Sequence, residues 1–197
     1  MKLISARQAW REAMHVSRDS AMAAAVERAK LGKRGYVVNE TRPDRWETNG
    51  RCAHMLAAGL VQQAIYTLPK TLQHLGHFLY SPVANGNDLS IAHSAAWFGS
   101  GVVIPAARQQ RGYWLTVCAL QSHKHLVNGR EPMGPTWACA FVEDRLGERM
   151  NPDNWARDWS AVWDALASHI DRMDRQALKP VADVVNRMNG RTETDVA

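Results

Sequence analysis

The sequence predicts an all-α protein, a multi-helix globular chain with a C-terminal helix-turn-helix variant. Two observations carry this prediction. Apolar residues recur at spacings of three and four through most of the chain, the period of one helix face. The stretches patterned in this way end at Gly, Asn-Gly or Pro, residues that stop helices. The strongest pattern runs from Thr136 to Asp174. Trp137, Phe141 and Leu146 form a short ridge closed by Gly147. Trp155, Trp159, Trp163, Leu166 and Ile170 form a longer one, entered through Asn151 as a cap, Pro152 at the first helical position and Asp153 near the positive end of the helix dipole.

Taken in order, Ala6 to Leu31 reads as a helix with Trp10, Met14, Met22 and Val26 on its apolar side and Gly32 as its stop. A basic loop at 32–51 follows, in which Lys33, Arg34, Arg42, Arg45 and Arg51 are interleaved with Tyr36 and Trp46. Cys52 to Tyr80 reads as two helices broken near Pro69. The turn-rich run from Ser81 to Asp88 separates these from a helix over Leu89 to Phe98. Gly99 to Pro105 is a short strand or a connector, and Ala106 to Val127 is a further helix ended by Asn128-Gly129. The following loop, with two prolines and two glycines, is the best domain boundary in the chain. The division expected is a basic helical domain at 1–130 and a helix-turn-helix-like domain with a final helix at 131–197.

With 197 residues and 46% hydrophobic content, the chain has enough apolar material for a globular core. Cys52, Cys118 and Cys139 are odd in number and far apart, which suits a reducing compartment better than a disulfide framework. No apolar run is long enough for a signal peptide or a membrane span, so the expectation is a cytoplasmic protein with no membrane partner. The net charge is +5, unevenly spread. Met1 to Arg51 carries 11 Lys/Arg against 6 Asp/Glu, Cys52 to Arg130 carries 5 against 1, and Glu131 to Ala197 carries 8 against 12. The basic surplus suits a polyanionic partner, but the segment with the helix-turn-helix outline is acidic and is poorly equipped to neutralise phosphates alone.

Motifs for catalysis are missing: there is no G-x-S-x-G elbow, P-loop, G-x-G-x-x-G or H-E-x-x-H. Eight histidines invite a search for a metal site. His74 and His77 stand three apart without a cysteine pair nearby, and His123 and His125 are not spaced with Cys118 and Cys139 as zinc ligands are. The expectation is no enzyme, no metal and no cofactor. The carboxylates Glu143-Asp144, Asp171 and Asp174 read as solvated faces, since neighbours on a helix do not converge.

The stretch NPDNWARDWSAVWDALASHIDRMDRQALKPVADVV, preceded by FVEDRLG and further back by LPKTLQHLGHFLYSP, resembles the phage antitermination Q-type regulators of late genes. In that family a W-x-R-x-W helix ends in a leucine/aspartate-rich turn and a final helix of the form ALxPV. The resemblance is best over Pro135 to Val185. It implies a small, mostly helical, cytoplasmic protein of a bacterial host cell. Such a protein binds double-stranded DNA overlapping a late promoter and engages RNA polymerase with its sigma factor, so that polymerase reads through terminators. Two features depart from the family: the paired cysteines of a zinc finger, carried by some members, are lacking, and the turn after Gly147 is longer than the compact three-residue form.

On this reading the tryptophan face is buried, and Asn154, Arg157, Ser160 and Ala161, with Arg149 and Asn151 at the helix entry, meet the major groove. Arg157 is the first choice for a bidentate contact to guanine. Its structural alternative is a surface ion pair with Asp153 or Asp158. Lys33, Arg34, Arg42, Arg45 and Arg51 supply phosphate contacts, or else form a solvated loop paired with Glu40, Asp44 and Glu47. Asp164, Asp171 and Asp174 offer an acidic face to polymerase. The competing function is a helical protein-binding regulator or inhibitor without direct DNA contact, and a third is a hydrolase or transferase with a site that no motif betrays.

Overall fold

A computed structural model describes residues 5–16 and 45–194. Every regular element among them is helical: α1 (Ala6–Val16), α2 (Arg45–Tyr66), α3 (Lys70–Tyr80), α4 (Gly86–Gly99), α5 (Gln109–Val127), α6 (Pro135–Leu146), α7 (Trp155–Asp158) and α8 (Ser160–Thr194), with 3-10 turns at Ala106–Arg108 and Pro152–Asn154. The all-α expectation therefore holds. The chain separates into two compact units, one comprising 1–68, 81–83 and 178–197 and the other 69–80 and 84–177. The loop expected to divide the domains lies inside the second unit. It is tied back to α5, because the Ser122 hydroxyl accepts from the Met133 amide at 3.0 Å and the Arg130 amide donates to the His125 carbonyl at 2.9 Å.

In the first unit α1 begins at Ser5, whose hydroxyl accepts from the Gln8 amide at 3.2 Å as an N-cap should. Ala9, Trp10, Ala13 and Met14 are buried on its inner face, as are Ala58, Val61, Ala64 and Ile65 on α2. The Gln62 amide group donates to the Ala13 carbonyl at 2.8 Å and fixes α2 against α1. The expected helix at 6–31 is described only as far as Val16. The expected basic loop at 32–51 needs correction at its end, because α2 starts at Arg45 and includes Arg51. After Pro43 nothing in RWETNGR forbids a helix, and Gly50 costs it only about 1 kcal/mol.

In the second unit Pro69 separates α3 from α2, as the sequence predicts, and its carbonyl accepts from the amides of Leu72 and Gln73. The Asn85-to-Asp88 run is more than a turn. Asn85 caps α4, its side chain accepting from the amides of Asn87 and Asp88, while the Asp88 carboxylate accepts from the Asn85 amide, a complete capping box. Residues 100–105 form a connector without a strand, turning at Gly101 with φ +66°. α5, α6 and the segment after α6 enclose a core of Leu115, Cys118, Ala138, Cys139, Val142, Met150, Trp155 and Trp159.

The helix expected to run unbroken from Pro152 is divided into a 3-10 turn, the four residues of α7, and α8. The break falls at Trp159, with φ −134° and ψ −17°. Its cause is local: the Ser160 hydroxyl donates to the Ala156 carbonyl at 2.6 Å, the back-bonding that bends helices. The Trp159 amide donates to the Trp155 carbonyl and the Trp163 amide to the Trp159 carbonyl, both at 2.9 Å, which carries the ridge across the bend. The final helix is likewise not separate. Pro180 lies inside α8, and the helix continues through it. Ile170, Met173, Ala177, Val181, Val184 and Val185, buried at helical spacing, offset the bond that a proline removes.

Candidate nucleic-acid interface

α6 ends where its sequence says it must. Gly147 takes φ +68°, a left-handed conformation that a side chain disfavours, and its amide donates to the Glu143 carbonyl at 2.8 Å. The chain then crosses Glu148 to Asn151 on the surface, pinned by the one apolar residue of the crossing, Met150, which enters the core. Asn151 works as predicted, its side-chain oxygen accepting from the Asp153 amide at 3.1 Å, although what it opens is a 3-10 turn. Burial of Trp155 and Trp159 turns the remaining side chains outward, so that Arg149, Asn151, Asn154 and Arg157 are all exposed. The four residues expected at the C-terminal end of the interface thus share one solvent-facing segment.

Arg157 has a carboxylate already. Its Nε and Nη2 donate to the two oxygens of Asp158, both at 3.1 Å, while its side chain remains 73% exposed. The hydrogen bond from Arg157 holds the Asp158 carboxyl below its usual range, and the same bond raises the Arg157 pKa. The pair fills the Nε/Nη2 edge of the guanidinium, so a base contact through that edge has to displace Asp158.

Two cations that the sequence reading did not single out stand beside this segment. Arg108 Nη1 lies 3.7 Å from the same Asp158, with its guanidinium 5.9 Å from the centre of the Trp159 ring. Arg111 Nη2 lies 2.6 Å from Glu148, and its Nε donates to the same carboxylate oxygen at 2.9 Å. Arg108 is the N-cap of α5 and Arg111 lies in its first turn, which has no acidic residue. Cations at a helix N-terminus oppose the dipole. Glu148 and Asp158, from the turn and from α7, compensate them. The sequence did hold a signal, since AARQQR is a polar, basic entry to an otherwise apolar helix, but only tertiary contact joins it to the turn.

The rest of the predicted set lies elsewhere. Arg45 and Arg51 stand on α2 in the first unit, and Lys33, Arg34 and Arg42 lie outside the described residues. The expected acidic face is corrected at one position. Asp164 is exposed and Asp171 pairs with Arg175 at 2.5 Å, but Asp174 is 1% exposed. It accepts from the Tyr80 hydroxyl at 2.5 Å and from His123 Nε2 at 3.1 Å. Asp174 therefore cannot face a partner.

Among the described residues, no three or more His, Cys, Asp or Glu side chains gather as a metal site requires. Burial pushes the Cys118 thiol up to about 12 and raises Cys139 as well, so neither supplies a thiolate nucleophile at neutral pH. No described helix is long and apolar enough to cross a membrane. No protein-family model matches the chain, and no curated protein or solved structure matches it either.

Proposed function

We propose that this chain is a phage transcription antitermination regulator that binds late-promoter DNA and engages RNA polymerase with its sigma factor, so that polymerase reads through terminators. The observation that carries the reading is the exposed, hydrogen-bonding segment from Arg149 to Arg157, underlain by Arg108 and Arg111, in the stretch that resembles the antiterminator family. The chain would act as a helix-turn-helix variant with an enlarged turn: α6 supports, the crossing after Gly147 enters, and the 3-10 turn and α7 present Asn154 and Arg157 to base edges. Arg108 and Arg111 neutralise phosphates there, with Arg45, Arg51 and the cations at 33, 34 and 42 adding a sequence-independent grip.

The test is a gel shift with late-promoter DNA at two salt concentrations. Arg157→Ala should lower specific affinity by roughly ten- to a hundredfold, the worth of a bidentate base contact. Arg108→Ala should weaken all sequences alike and reduce the salt slope by about 1. Absence of wild-type binding at low salt sinks the DNA-reading half.

A second reading, a helical regulator that acts only on another protein, has one observation in its favour. Phe98 and Val103, at the α4–α5 connection, are 80% and 95% exposed, large apolar side chains in the position of a protein contact. Capture of purified RNA polymerase without any DNA binding favours this reading. Capture lost with Phe98→Ser and Val103→Ser assigns the surface.

A further inference from the structure

The second unit contains a cleft of about 400 Å³ between α4, α5 and α6 that the duplex-reading proposal does not use. Its size falls in the range of small-molecule sites. Its walls are chiefly aromatic. Trp137 and Phe141 stack at 5.3 Å with their planes 26° apart, and Trp114 meets Phe141 edge-on at 6.3 Å. Tyr113 and His93 form a T-shaped pair at 4.1 Å, and Tyr113 meets Trp114 edge-on at 5.8 Å. All five rings line the cleft.

The polar atoms are few and differ in kind. Arg145 places its guanidinium 5.4 Å from the Phe141 ring centre and 5.9 Å from that of Trp114. Its nearest carboxylate, Asp144, is 3.9 Å from Nε, too far for a hydrogen bond, and does not line the cleft. His93 donates from Nε2 to the Tyr113 carbonyl at 2.9 Å, and burial lowers its pKa although that bond opposes the shift. It is therefore neutral at pH 7. Arg145 is then the one formal charge on the lining, with the Ser90 hydroxyl and the Gln121 amide as further hydrogen-bonding groups.

Rings on the walls favour a flat π-face, an exposed cation whose one ion pair is as long as 3.9 Å favours an anion, and a hydroxyl with an amide suits the nitrogen- and oxygen-bearing edge of a heteroaromatic ring better than a hydrocarbon. We infer that this cleft binds a nucleotide, its base against the Trp137, Phe141 and Trp114 rings and its phosphate on Arg145. The same chemistry is offered by a free mononucleotide and by one unpaired residue of a single strand.

Calorimetry on the full chain separates these sources. AMP, GMP, CMP and UMP are titrated beside adenosine, inorganic phosphate, a single-stranded hexanucleotide and its duplex. At least one nucleotide or the single strand should bind more tightly than adenosine or phosphate alone. Arg145→Gln, an exposed change that spares the fold, should weaken that binding about tenfold or more, the loss of one charge-assisted hydrogen bond, while leaving adenosine unaffected. Binding of the single strand but of no mononucleotide supports the inference and assigns the ligand to a strand. Binding of mononucleotides assigns it to a free nucleotide. The inference is overturned if neither form binds, if adenosine or phosphate does as well as the nucleotide, or if Arg145→Gln changes nothing. Arg157→Ala should leave cleft binding intact, so this result and that of the duplex gel shift stand or fall separately.

Discussion

Asp174→Asn should lower the melting temperature by about 6–12 °C, a large effect for a substitution that deletes no volume. The wild-type carboxylate is 1% exposed and accepts from the Tyr80 hydroxyl at 2.5 Å and His123 Nε2 at 3.1 Å. Asparagine keeps the shape but offers one oxygen in place of two, with an NH₂ turned toward the second donor. A hydrogen bond to a charged group contributes about 1.5–3 kcal/mol, and a donor left buried without an acceptor costs about 1–3 kcal/mol more. A loss near 3 kcal/mol is at the low end of that sum, and in a chain of this length each kcal/mol moves the midpoint by about 2–4 °C. The assay is thermal unfolding followed by near-ultraviolet circular dichroism. Asp171→Asn, which loses only the exposed pair with Arg175, is the control and should cost about 0.5 kcal/mol or less. Adding Tyr80→Phe to Asp174→Asn should cost less than the two single losses together, as members of one network do. Equal, small shifts for Asp174→Asn and Asp171→Asn would refute the reasoning and return Asp174 to the solvated face.

Four further outcomes are expected. Gly112→Ala should destabilise by about 1–3 kcal/mol in urea unfolding, because a Cβ there overlaps Ile104 Cδ1 and lies 3.1 Å from the Trp97 ring. Leu166→Ala, at a fully buried position of α8, should cost about 2–5 kcal/mol by the same measure. Cys118 should resist a neutral-pH thiol reagent until the protein unfolds, since burial holds its pKa at about 12; labelling at the rate of a free thiol contradicts this. Stability should fall as pH drops from 7.5 toward 5.5. Burial lowers the pKa values of His77, His93 and His169, so protons bind the unfolded chain first; a midpoint that rises over this interval contradicts the assignment.

Helices with long apolar stripes were legible in the sequence, because the spacing of Trp155, Trp159, Leu166 and Ile170 reports a face whatever it packs against. Gly147 was legible for a similar reason: its role is set by its own backbone. What depended on distant partners was not. Asp174 sits between apparent surface acids, and its burial is decided by Tyr80 and His123, which are 94 and 51 residues away. Arg108 and Arg111 look like an ordinary helix entry until Glu148 and Asp158 arrive from the other side of the turn. Local chemistry also deceived in both directions. Asn85 to Asp88 has turn composition yet builds a helix cap, and Ser160 breaks a helix that its neighbours would continue.

The shared carboxylate of Asp158 gives the proposed DNA reader a rival inside its own surface. Arg157 and Arg108 both lean on it, so a phosphate or a guanine must displace an occupant before it gains a cation. A weak, generic site on bulk DNA offers little beyond that exchange, whereas a full set of base contacts repays it. In the proposed complex the acid would act as a threshold. If the proposed function holds, it would shorten dwell times on unrelated sequence and leave the protein free to keep searching, at a small cost in grip where the search ends.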